Sequence, residues 1–383
     1  MLTLGAPGAA NDQILVNMNR ILQANILIGI QTSVLMQVVR YDETDSTFAS
    51  HRGHIFGALA IVQGNPGLRY RTACKYWITA KRKGSPVFNR LSAQTGLPIK
   101  VTYHALNDVG FRDTHQLHMI RDGQFDLVSL RFIQNSDAEP SLFGIDLVGL
   151  NTDWDKAQAV VREYSPTVDR YLQETFHAKL LGIWTFGPQV FFCKKPIQSV
   201  RDIQGLKVRV ASASIANLIE SLGGVPAIIA FDETKNALAI GLVDCAITSS
   251  ASGNFAGWPQ HTEYFFPLVV HFGLNGFAVS LRKWGNFSRT EQEIMQAAFD
   301  EYVADVWTYS QQLDRDTADC NTGRSCVHGT PYNMTLVVPS PQDVQALQHI
   351  ATTKLIPEWF KECDRAHPGC SKEWIEKVGQ IAH

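Results

Sequence analysis

The chain has 383 residues, 34 Lys and Arg set against 36 Asp and Glu, and 45% hydrophobic content. That length suits two or three domains of roughly 100–200 residues, and the near-zero net charge offers no basic surface of the kind nucleic acid needs. The apolar content excludes disorder, and no run reaches the roughly 20 apolar residues of a spanning helix: the most apolar stretch, 21–39, is broken by Gln23, Asn25, Gln31, Thr32, Ser33 and Gln37.

Residues 1–73 form irregular apolar clusters without helix caps or α/β alternation. His51, Arg52, Gly53 and His54 ahead of the apolar run 55–62 resemble the start of an export signal, and Arg71-Thr72-Ala73-Cys74 has the small residue and cysteine of a lipoprotein cleavage site. This part reads as an atypical extension, or as a mis-assigned start over an export region. Regular elements begin at residue 75. A strand at 76–80 precedes a helix over 87–94, capped by Ser85 with Pro86 at its first position. Residues 99–103 alternate as a strand, 114–121 form a helix and 125–130 a strand. Thr152 with Asp155 opens a helix through Ala157, Val160, Val161 and Tyr164; Ser165-Pro166 opens another bearing Val168, Tyr171 and Leu172. Strands follow at 180–184 and 190–193.

After Lys195-Pro196 a second series runs strand 206–210, helix 214–222, strand 227–230, helix 232–241 and strand 246–248. Segments 267–270 and 277–281 lead to a long amphipathic helix, started by a capping box of Ser288 and Glu291 and running to about Thr317. This alternation predicts an α/β class with parallel sheets covered by helices.

The seven cysteines include two close pairs, Cys320/Cys326 and Cys363/Cys370. Small-loop disulfides of an extracytoplasmic protein and a zinc site shared with His328 and His367 are both open; the absence of a CxxC spacing favours disulfides. Cys193 and Cys245 follow apolar residues in strand runs and read as inert buried thiols. There is no GxSxG, HExxH, GxxxxGK[ST] or GxGxxG motif, and His115 with His118 reads as a surface helix pair. Neither an enzyme, a metal nor a cofactor is expected.

Arg209 stands near the carboxyl end of a predicted strand, just before a helix, which is where open α/β sheets bind ligands. Its guanidinium can hold a carboxylate by two parallel hydrogen bonds. The helix N-terminus adds a few tenths to about 1 kcal/mol for an anion.

Taken together, residues 200–244 resemble the DctP-type solute-binding proteins of tripartite ATP-independent periplasmic (TRAP) transporters. The residues concerned are Asp202, Gly205, Leu206, Lys207 and Arg209, then Leu222-Gly223-Gly224-Val225-Pro226, then Phe231-Asp232-Glu233, Ala237-Leu238, Gly241 and Asp244. Upstream, Gly123-Gln124-Phe125-Asp126-Leu127, Gly182-Ile183-Trp184 and Lys194-Lys195-Pro196-Ile197 extend the likeness, as does the segment from Phe287-Ser288 to Ala298 downstream, over about 75–323.

The resemblance implies a two-lobed α/β periplasmic binding protein, type II-like, with a long helix spanning both lobes. Its first lobe would hold 75–200 and about 282–383, its second 201–281. It would close over a small organic acid and deliver it to a membrane permease. The family's carboxylate-binding arginine falls on Arg209, and Phe231 would pack against the ligand. Relatives carry Gly and then Glu-Asn-Pro where this chain has Cys245 to Asn254, which makes Thr248 and Ser249 candidates for lining the cleft. Gln189 stands where many relatives have a second arginine, so a second fixed charge is expected to be missing. Phe186, Phe191, Trp184 and Trp258 offer apolar surface, and a monocarboxylate with an apolar or aromatic body fits these changes. Arg131 and Phe132 are expected to reach the cleft from the first lobe. The part after Gly323 would be an extension pinned by its disulfides against the long helix. A ligand sensor without transport, or a periplasmic enzyme acting on an organic acid, is the alternative.

Overall fold

The computed structural model describes residues 34–40, 99–105 and 111–382. The predicted strand at 76–80, the helix at 87–94 and the export-like segments between 51 and 74 lie outside the described residues. In chain order the elements are β1 (Val34–Arg40), β2 (Ile99–Ala105), α1 (Gln116–Arg121), β3 (Leu127–Arg131), α2 (Trp154–Phe176), β4 (Ala178–Thr185) and β5 (Gln189–Cys193). Next come β6 (Lys207–Val210), α3 (Ala213–Ser221), β7 (Val225–Ile228), α4 (Phe231–Ala239), β8 (Cys245–Ser249) and α5 (Ser250–Ala256). The last are β9 (Tyr264–His271), β10 (Leu274–Ser280), α6 (Leu281–Trp284), α7 (Arg289–Asn321), β11 (Thr335–Leu336), α8 (Pro341–Ile350), α9 (Ile356–Ala366) and α10 (Cys370–Ala382).

Two sheets form, ordered β2-β1-β3-β10-β4 and β11-β9-β5-β8-β6-β7. The first is antiparallel at each pairing. In the second only β7–β6, β6–β8 and β9–β11 are parallel. The expectation of parallel sheets is therefore corrected. The chain leaves the first sheet between Thr185 and Gln189 and returns to it between His271 and Leu274, so strands adjacent in sequence belong to different sheets. For the same reason β5 sits with the second lobe and β10 with the first, the reverse of their sequence assignment. β1, which falls in the presumed N-terminal extension, is an inner strand of the first sheet.

The two helices predicted around Pro166 are one helix, α2, 23 residues long. Asp153, not Thr152, caps it by accepting from the Lys156 N–H at 2.8 Å. Tyr164, Thr167, Val168 and Tyr171 are buried on both sides of the proline, so packing on the first sheet overrides the local break. The Ser165 hydroxyl donates back to the Val161 carbonyl. The capping box of α7 forms as predicted, with the Glu291 carboxylate accepting from the Ser288 N–H at 2.7 Å. Further along α7, the Trp307 indole donates to the Ile183 carbonyl at 2.8 Å and the Ser310 hydroxyl to the Thr185 carbonyl at 3.0 Å, stitching the helix to β4.

Cys320 is bonded to Cys326 and Cys363 to Cys370. His328 and His367 instead face carboxylates, Asp316 at 3.3 Å and Glu139 at 2.9 Å, and no group of three or more metal-capable side chains gathers among the described residues. Cys193 and Cys245 are not free thiols. They face each other across β5 and β8 with Cα atoms 4.1 Å apart and form a third disulfide. The Cys320–Cys326 bond ties the start of the C-terminal part to α7, where Asp316 also accepts from the Val327 and His328 N–H groups at 2.9 and 2.8 Å, while its helices pack on α2. Trp359 and Trp374 donate their indole N–H groups to the carbonyls of Pro140 and Gly144, and Glu373 accepts from Thr167, Arg170 and Tyr171.

Candidate ligand-binding cleft

Arg209 lies on β6, whose carboxyl end, with those of β7 and β8, faces one edge of the second sheet. Its Nε donates to the Ile229 carbonyl at 2.9 Å and its Nη1 to the Ile247 carbonyl at 3.0 Å. The residue is only 3% exposed. Burial pulls the guanidinium down to about 10, with Asp232 opposing the shift, so the group stays charged at neutral pH. Two of its five N–H groups serve backbone carbonyls, which leaves three, enough for a two-bond carboxylate clamp. Trp258 lies beneath it, the guanidinium carbon 5.6 Å from the ring centroid. Three residues on, Ser212 precedes the first turn of α3, and its hydroxyl is buried without a partner. A buried orphan hydroxyl at a helix N-terminus, three residues along the chain from a buried cation, has the makings of an anion cradle.

The strand register sorts the other candidates. Arg209 pairs with Ala246, so it shares a face with Thr248 and its partner Val190, against the Trp258 cluster. Phe231, the first residue of α4, is half-buried on Trp258 at 5.3 Å between centroids. Gln189 and Ser249 pair across β5 and β8 on the opposite face, and Gln189 also pairs with His271 of β9. The Ser249 hydroxyl accepts from the Ser252 N–H and donates to the Ser252 hydroxyl, so it is used as the cap of α5.

From the first lobe, Arg131 is buried with its guanidinium 4.5 Å from the Phe186 ring and its Nε 3.9 Å from the Asp113 carboxylate. Desolvation lowers its pKa and Asp113 opposes that shift. Arg131 is thus a second buried arginine, distinct from the Gln189 position where the resemblance expects none, and Asp113 shares its charge. Phe132 is fully buried, and its ring fills the space a side chain at Gly276 would need. It supports the sheet from within.

Where the chain crosses between lobes, the two passages lie side by side: the Phe186 N–H donates to the Gly273 carbonyl at 3.3 Å. Gly273 has φ +60°, and a Cβ there would meet the Gln189 amide nitrogen at 2.7 Å. Around it sit Gln189, His271 and Asn275. Nothing in the sequence marks the last two, since polar residues inside apolar strands are recognised only once the crossing is known. His271 Nδ1 is 2.9 Å from the Asp146 carboxylate, which also accepts from the N–H groups of Phe272 and Leu274 at 2.8 and 2.9 Å.

A model of the family described as bacterial extracellular solute-binding protein, family 7 (DctP), matches residues 87–351, more than half of the chain. The C4-dicarboxylate-binding periplasmic protein DctP of Rhodobacter capsulatus is 29% identical over 104 residues, a match spanning 27% of this chain and only 31% of that relative. Among solved structures, DctP6 of Bordetella pertussis, an extracytoplasmic solute receptor binding pyroglutamic acid, is similar with a TM-score of 0.68 and 17% identity, over 77% of this chain and 93% of that one. A pyroglutamate-specific TRAP solute-binding protein from a marine metagenome gives 0.65 and 19%, over 76% and 92%. The two-lobed fold and the extent of the family match agree, and the chain belongs to the family 7 bacterial extracellular solute-binding proteins.

Proposed function

We propose that the protein is the periplasmic receptor of a TRAP-type uptake system, binding a small organic acid between its lobes and handing it to a membrane permease. The observation that carries this reading is Arg209: a buried guanidinium held by two backbone carbonyls, with three N–H groups and no carboxylate within 4 Å among the described residues. Burying a cation is unfavourable unless an anion answers it, and a bound carboxylate supplies that anion. In this reading Ser212 and Thr248 complete the carboxylate end, and Phe231, backed by the buried Trp258, covers an apolar part of the ligand. Gln189, Phe186 and Arg131 face it from the crossing and the first lobe, and Ser249 holds α5 in place behind them. One fixed cation at the anchor favours a monocarboxylate over a dicarboxylate.

Thermal-shift titration with a panel of carboxylic acids, pyroglutamate and C4-dicarboxylates included, tests it. At least one monocarboxylate should raise Tm in a concentration-dependent way, and Arg209→Met should abolish the rise. A panel without any shift, or an undiminished shift in the variant, would refute the anchor.

A further inference from the structure

Gln189, His271 and Asn275 are each no more than 9% exposed, and all three adjoin Gly273. The Gln189 amide nitrogen donates to the Gly187 carbonyl at 2.8 Å, and that of Asn275 to the Gly273 carbonyl at 2.6 Å. Only an amide N–H can serve a carbonyl, so these bonds fix which end of each amide points away. Both amide oxygens are left without a donor among the described residues. At His271, Nδ1 faces both the Asp146 carboxylate and, at 3.0 Å, the Gly273 N–H. The carboxylate is the stronger partner and calls for an N–H at Nδ1, and the tautomer assigned on that ground has its lone pair on Nε2. Unused acceptors here comprise four lone pairs on two amide oxygens plus one on the imidazole, against a single further N–H on each amide.

We propose that the cleft selects carboxylic acids bearing a hydrogen-bond donor, a hydroxyl or an N–H, away from the carboxylate, read by Gln189, Asn275 and His271. This rests on Arg209 as the carboxylate anchor. Gln189 pairs with Ser249, two residues beyond the Ile247 carbonyl that holds Arg209. Gln189 and Arg209 lie on opposite faces of the sheet, so an acid that reaches both lies across the carboxyl ends of β6 and β8. A donor-free acid would strip water from the amide oxygens and give nothing back, the loss that makes polar sites discriminate strongly.

Calorimetric titration of the full chain with matched pairs decides this: 4-hydroxycyclohexanecarboxylate against its 4-fluoro analogue, and 5-hydroxypentanoate against 5-fluoropentanoate. The donor-bearing member should bind at least about tenfold more tightly in any pair that binds. In Gln189→Met and in Asn275→Leu that ratio should fall towards one while the donor-free acid keeps its affinity, which also reports that the variants are folded. Pairs that bind equally within about twofold, or a ratio unchanged in both variants, overturn the proposal and leave the carboxylate anchor standing. No binding by any acid, in this set or in the wider panel, removes the anchor and the proposal together.

Discussion

Arg209 is stabilised by backbone carbonyls rather than by a carboxylate, so its positive charge is incompletely compensated until a ligand arrives. Removing such a charge relieves its desolvation, against the loss of two hydrogen bonds to backbone carbonyls. Arg209→Met should therefore leave the ligand-free Tm unchanged or raise it by a few degrees while abolishing ligand binding, a divergence that differential scanning calorimetry with and without the acid would reveal. Asp314, on α7, behaves in the opposite sense. Burial pushes its carboxyl up to about 6, against a hydrogen bond with Ser250 and the charge of Arg315, and its Oδ1 is buried without a partner. A raised carboxyl favours the folded state below its unfolded value near 3.8, and that advantage is lost as pH rises through 6. Asp314→Asn should gain on the order of 2 kcal/mol over the natural chain at pH 8, a difference that closes between pH 6 and 4 in urea titrations.

Elements whose boundaries are set by local chemistry were legible: the Ser288–Glu291 box, the β6–α3 and β7–α4 units, and Arg209 at a strand end. Those set by distant partners were not. Pro166 carries a local stop signal, yet α2 continues because Tyr164 and Val168 are buried against the first lobe. A mid-helix proline costs about 3 kcal/mol, offset in part by its stiffening of the unfolded chain. Pro166 itself is exposed, so Pro166→Ala should stabilise the protein by about 1–2 kcal/mol in denaturant unfolding. The strand crossings are invisible in sequence for the same reason: β4 and β5 have the apolar pattern of neighbours in one sheet, and only the register shows that they diverge. His271, Asn275 and the Cys193–Cys245 pair were missed because each acquires its meaning from a strand far away along the chain.

At the scale of the whole molecule, the C-terminal helices belong to the core rather than to an appendage. Trp359, Cys363, Cys370, Trp374 and Val378 are buried in the same cluster as α2. At Glu373, burial is outweighed by hydrogen bonds from Thr167 and Arg170 and by the arginine's charge, so its carboxyl sits below the ordinary value. Replacing Cys363 and Cys370 with serine should cost about 2 kcal/mol, the chain-entropy scale for so short a loop, and a mild thiol reductant should lower Tm comparably. α8 touches both lobes: the Val200 N–H donates to Asp343 at 2.8 Å, while Leu347 and Ala351 close over Gly149. Asp146 in turn gathers the amides of Phe272 and Leu274, at the point where the chain passes from one sheet to the other. Lobe closure of the kind proposed would turn about such a tethered crossing, and what lies on the axis of a rotation hardly moves. Gln189, His271 and Asn275 would thus be in position before the jaws shut, whereas Arg209, farther from the crossing on β6, would swing in last. Stopped-flow binding should then show Gln189→Met mainly slowing capture and Arg209→Lys mainly hastening escape, a division of labour between first contact and residence time.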